Sequence, residues 1–151
     1  MPEIVLTSPV ERARSLTGAG APEDAIALLR PALAKGDPAV RQAMVDALVA
    51  SATKLTSSYN WTQVARRARE ALALTTPPES SRGAHGLLGD ALAAQGDASG
   101  AVAEYQRALA ETPRDARLKR HLMRARRQLQ PAPERPPAEA AASAPSQPAA
   151  E

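Results

Sequence analysis

The chain has 151 residues, enough for one domain with a core of its own. It holds no Cys, which excludes disulfides, thiolate metal sites and cysteine nucleophiles. Ala accounts for 35 residues and Pro for 14, while Leu, Ile, Val and Phe together number 25. With a net charge of only +3 this describes an Ala-rich helical body with a Pro-rich appendage, not a wholly disordered chain.

Met1–Thr7 carries no basic stretch and its apolar run stops after three residues. No run of 18 apolar residues follows anywhere. Neither a signal peptide nor a membrane-inserted helix is expected, and the expected location is the cytoplasm. Alternating β-branched runs are missing, and the Ala and Leu content favours helix.

Helix punctuation divides the body. Ala21-Pro22-Glu23-Asp24 puts Pro and two acids in a first turn, where a missing N–H and negative charge both suit the helix N-terminus. Pro31 falls inside the helix that follows, so a kink or an early end is expected there. Gly36-Asp37-Pro38, Gly96-Asp97 and Thr112-Pro113-Arg114-Asp115 each read as stop and restart, and Thr76–Ser81 reads as a break. The pattern predicts helices over roughly 8–18, 22–35, 38–56, 60–75, 80–95, 98–111 and 114–130. Residues 131–151 hold six Pro and eight Ala with no large apolar residue, which predicts a disordered tail. Its PxxP spacings are a weak sign of a ligand in so Pro-rich a segment.

An internal repeat runs through the body. Over the 34 residues Arg82–Asp115, small and bulky residues alternate as Leu88, Gly89, Leu92, Ala101, Tyr105, Ala108 and Pro113. Shifted by 37 residues, the pattern reads Ser51, Ala52, Leu55, Val64, Ala68 and Ala71. A further shift of 39 residues gives Arg12, Ala13, Leu16, Ala25, Leu29 and Ala32. The strong copy resembles a tetratricopeptide repeat (TPR) of the bacterial type, with His85 at the usual Trp position. The other two copies resemble it in degenerate form.

The resemblance covers about residues 6–130. It implies an all-α, short TPR-like helical solenoid of about three helix pairs. In it, Gly89 and Ala101 let paired helices approach, Leu88, Leu92 and Tyr105 fill between them, Ala108 makes room for the next repeat, and Pro113 ends the second helix. Within 114–130, Leu118, Leu122, Ala125 and Leu129 form one apolar stripe, as a capping helix requires. The expected domains are therefore 1–130, the helical domain, and 131–151, the tail.

Chemistry-bearing constellations are sparse. His85 and His121 sit in no metal-ligand or triad-like spacing, and Gly83, Gly86 and Gly89 lack the strand and Lys of a phosphate loop. No enzyme activity, cofactor or metal site is expected. His85 reads as a half-buried packing residue, and Trp61 as a packing residue that shares an aromatic spot with Tyr59.

Charge is the informative feature. Residues 114–130 carry seven Arg or Lys against Asp115, whereas residues 1–113 balance 11 bases with 12 acids. Extending the TPR register turns Arg117, Arg120, His121, Arg124 and Arg127 toward the concave groove or its edge. Glu11, Arg14, Asp46, Val49, Ala50, Thr53, Gly86, Leu87 and Asp90 are the other groove positions. The Asn and Lys residues of the carboxylate clamp that some TPR proteins use are absent from these positions.

Guanidinium groups suit carboxylates and phosphates, although a solvated basic cap is the plainer reading. The expected function is a non-catalytic adaptor that binds a protein or peptide segment, acidic if the arginines are used. The alternatives are a structural subunit or homo-oligomer, and an anion or RNA binder acting through 114–130. Nucleic acid ranks last, because no aromatic platform accompanies the arginines.

Overall fold

The computed structural model describes residues 8–76, 81 and 83–132. Among them are seven α-helices and no strand: α1 (Pro9–Gly18), α2 (Pro22–Leu29), α3 (Pro38–Thr56), α4 (Trp61–Leu74), α5 (Ala84–Ala94), α6 (Ala98–Glu111) and α7 (Ala116–Leu129). None of these helices is long and apolar enough to cross a membrane. The expected tail lies outside the described residues from 133 onward, as does most of the break expected at Thr76–Ser81.

Local chemistry sets the helix starts. Ser8 and Glu11 form a reciprocal capping box at α1. The carboxylates of Asp37, Asp97 and Asp115 and the amide oxygen of Asn60 accept from the first free N–H groups of α3, α6, α7 and α4. Between α5 and α6 the chain turns through Gly96 at φ 86°, a left-handed conformation that costs a side-chain-bearing residue energy and glycine little.

Pro31 ends its helix early. Regular α-helix stops at Leu29, and the chain continues as a 3-10 helix over Arg30–Lys35 with Pro31 in its first turn. There its missing N–H breaks no backbone bond, whereas deeper in an α-helix it would leave a carbonyl unpaired. The helix expected over 22–35 is thus two shorter pieces.

Each helix packs on the next in the chain. The remaining substantial helix–helix contacts are α1 with α3, α3 with α5, and α5 with α7. The buried apolar residues fall into three successive clusters. The first, under α1 to α3 and reaching Ala71 on α4 and Ala84 on α5, is built on Ala13, Ile26, Leu29, Met44, Val45 and Leu48. The second joins α3, α4 and α5 through Ala52, Val64, Ala65, Ala68, Leu88 and Ala91. The third joins α6 to α7 through Ala101, Tyr105, Ala108, Leu118, Leu122 and Ala125.

Of the repeat residues, Leu88, Gly89, Ala101, Tyr105 and Ala108 are buried, Leu92 is half-buried, and Pro113 is exposed just beyond α6. Their counterparts Ala13, Ala25, Leu29, Ser51, Ala52, Val64, Ala68 and Ala71 are buried too, whereas Arg12 is exposed. Small residues dominate these positions because helices come close there. A Cβ added at Gly89 would stand 2.7 Å from Cε1 of Tyr105, so only glycine accommodates the ring.

Candidate functional site

A groove of about 810 Å³ opens along one side of the molecule. Its lining comes mainly from alternate helices. Val49, Thr53 and Thr56 stand on α3, Leu87, Asp90, Ala93 and Ala94 on α5, and Arg117, His121, Arg124, Ala125 and Gln128 on α7. Trp61, the first residue of α4, closes one part of it, and Tyr105 reaches it from α6.

Helical periodicity explains which α7 residues take part. Positions 117, 121, 124 and 128 recur at i, i+4, i+7 and i+11 and share one face. Leu118, Leu122 and Ala125 lie about 100° further round and are buried against α6. Arg120 and Arg127 fall on neither face. They are exposed and do not line the groove. Of the five α7 residues expected to contact a partner, the fold therefore brings Arg117, His121 and Arg124 together at the groove and leaves Arg120 and Arg127 outside it.

Asp90 organises the basic wall. Its carboxylate is 10% exposed and receives three donors. The Tyr105 hydroxyl donates to Oδ1 at 2.8 Å, His121 Nδ1 contacts the same oxygen at 2.8 Å, and Arg117 pairs with Oδ2. A carboxylate only accepts, so Nδ1 of His121 carries its proton and Nε2 is the nitrogen left for other partners. The imidazole also meets the Tyr105 ring edge-on, with centroids 5.7 Å apart. Burial, then the neighbouring Asp90 carboxylate, hold the Tyr105 hydroxyl well above the ordinary tyrosine range. It therefore stays neutral and donates.

Arg124 differs from Arg117. No carboxylate of the described residues lies within ion-pairing distance of it. The lining outside α7 and Asp90 carries no charge; it includes Val49, Thr53, Thr56, Trp61 and Leu87. The groove is thus basic along α7 and uncharged along α3 and at Trp61 and Leu87.

The other groove positions divide. Val49, Thr53, Leu87 and Asp90 line the cavity; Glu11, Arg14, Asp46, Ala50 and Gly86 do not. His85 is 20% exposed and held by Glu104, with Nδ1 2.7 Å from Oε2. Glu104 also pairs with Arg107, and Glu111 accepts from the Ser81 hydroxyl at 2.8 Å. This cluster ties the start of α5 to α6. Tyr59 is 77% exposed and meets Trp61 edge-on at 6.3 Å.

Sequence reasoning missed the role of Asp90. Its partners lie 15, 27 and 31 residues away, and no local spacing marks them. Neither a family model nor a curated protein nor a solved structure matches the chain.

Proposed function

We propose that this chain is a non-catalytic interaction module, a TPR-like solenoid that binds a protein or peptide segment in its groove. The architecture is read as a solenoid because each substantial helix contact skips at most one helix, and because the core is a series of three clusters. A closed bundle would bring its first and last helices together around one core. In this reading α1, α3 and α5 are the first helices of three pairs, and α7 caps the third.

The observation that carries the function is the groove lining. It is drawn mainly from the alternating helices α3, α5 and α7, with basic residues on α7, uncharged residues on α3 and a cavity of about 810 Å³, a size suited to several side chains of an extended segment. Peptide recognition works through such preformed surfaces, because a rigid receptor loses little entropy on binding.

The test uses Thr53→Phe. Thr53 is exposed on α3 and lines the groove, so a phenyl ring fills the space without disturbing the core. A partner captured by the wild-type chain and lost by Thr53→Phe supports the reading; a partner held equally by both contradicts it. Light scattering at increasing concentration separates the alternative of a homo-oligomer, which gives a mass that rises with concentration and covers the groove.

A further inference from the structure

We propose that the groove selects an acidic peptide: a linear segment with one carboxylate side chain seated on Arg124 and a large apolar side chain seated between Trp61 and Leu87. The proposal rests on the interaction-module reading above and assigns the ligand chemistry of that same groove.

Asp90 sets the charge of the groove. Among the described residues it is the one acidic residue in the groove lining. Three donors converge on it, so its negative charge is already satisfied inside the protein. Arg117 and His121 are held in place by that carboxylate, while Arg124 is left without a carboxylate partner among the described residues. A guanidinium facing a half-enclosed cavity gains most from a ligand that supplies a planar, bidentate anion. The Nε2 edge of His121, three residues before Arg124 on the same face, adds a polar contact.

The second element is the uncharged part of the lining. Trp61 and Leu87 are half-buried, line the cavity and both pack on the cluster that joins α3, α4 and α5, so an apolar side chain entering there leaves water for a largely preformed surface. A nucleic acid would need cations spaced along a strand and flat rings to stack on. Here the groove offers two arginines about 10 Å apart along α7 and one indole, while the Tyr105 ring is buried and the His121 ring is held edge-on against it. The charge pattern therefore favours a peptide over a polyanion.

Trp61 is the only tryptophan of the chain, which makes the groove its own reporter. Random heptapeptides displayed on phage are selected on the full-length protein, and the enriched peptides are synthesised and titrated while Trp61 emission is followed. The expected result is enrichment of peptides that pair an Asp or Glu with a large apolar residue. Arg124→Glu should weaken them by at least about tenfold, and Arg120→Glu, one turn away and outside the groove, should leave them unchanged.

Peptides that alter Trp61 emission but carry no acidic residue, or are indifferent to Arg124→Glu, overturn this proposal and leave the groove reading intact. Selection of no peptide that alters Trp61 emission overturns both. A polyuridine RNA that shifts Trp61 emission, and loses that effect in Arg124→Glu, overturns the proposal in favour of nucleic acid.

Discussion

Gly89 on α5 lies directly under the ring of Tyr105 on α6, so close that a methyl group at position 89 would overlap Cε1 and Cδ1 at 2.7 and 2.8 Å. An aromatic ring cannot swing aside as the end of a flexible chain can. Gly89→Ala is expected to destabilise the fold by about 1–2 kcal/mol, because overpacking outweighs the roughly 1 kcal/mol that alanine gains in helix propensity. Gly86→Ala is the internal comparison. Its Cβ would meet only the tip of Leu118 at 3.2 Å, and a small shift of that methyl keeps the change within about 0.5 kcal/mol of neutral. Urea midpoints of the two variants measure the difference.

Tyr105 also carries the buried hydroxyl that meets Asp90. Tyr105→Phe removes the donor and is expected to cost about 1 kcal/mol at neutral pH. The pH dependence has a definite sign. The folded state holds the Tyr105 proton more tightly than the unfolded chain does, so its contribution is fully present below the ordinary tyrosine value of 10.0. Above that value the unfolded chain loses the proton first, and the contribution declines as pH rises toward the folded-state value. Chemical denaturation between pH 9 and about 11 should show wild-type stability falling more steeply than that of Tyr105→Phe.

Asp90 couples the hairpin to the cap. Asp90→Ala leaves the Tyr105 hydroxyl without its acceptor and is expected to cost about 1–3 kcal/mol. Arg117→Ala should cost less than about 1 kcal/mol, since that side chain is 55% exposed and its ion pair is screened by water. In a double-mutant cycle, Asp90→Ala with Tyr105→Phe should be less destabilising than the sum of the two changes, with a coupling of at least about 0.5 kcal/mol. Additivity would mean that the 2.8 Å contact contributes nothing.

The packing of α7 on α6 is tested by its apolar stripe. Leu122 is buried with Leu118 and Ala125 over Tyr105 and Ala108. Leu122→Ala is expected to lower stability by about 2–3 kcal/mol, through lost burial and the space left behind. Met123→Ala, at a side chain 56% exposed, should stay within about 0.5 kcal/mol of the wild type.

Most helix boundaries were legible in the sequence because their signals are local. Asp37, Asp97 and Asp115 sit at the predicted starts and accept the hydrogen bonds that N-terminal caps make. The burial of Ala13, Ala52 and Gly89 follows a spacing visible without coordinates. The early end of the 22–35 helix was half legible: Pro31 marked a disruption, but kink and termination share one sequence signal.

Contacts between distant residues were not legible. Ser51, a polar departure from the repeat, is buried with its hydroxyl on Glu23, which also pairs with Arg67, and nothing near Ser51 in the chain announces this. The sequence turns five α7 positions toward the groove or its edge; a helix presents only a narrow face to one cavity, so Arg117, His121 and Arg124 line it while Arg120 and Arg127 are exposed outside that lining.

In the proposed function, partners enter the groove lined by α3, α5 and α7. The most direct measurement is an NMR titration of the ¹⁵N-labelled full-length chain with the heptapeptide that changes Trp61 emission most. The account predicts amide shifts at Thr53, Leu87, Asp90 and Arg124 with little change at the exposed Arg66, Arg69, Gln106 and Ala110. Shifts concentrated at those last four residues, with the groove amides unmoved, would contradict it.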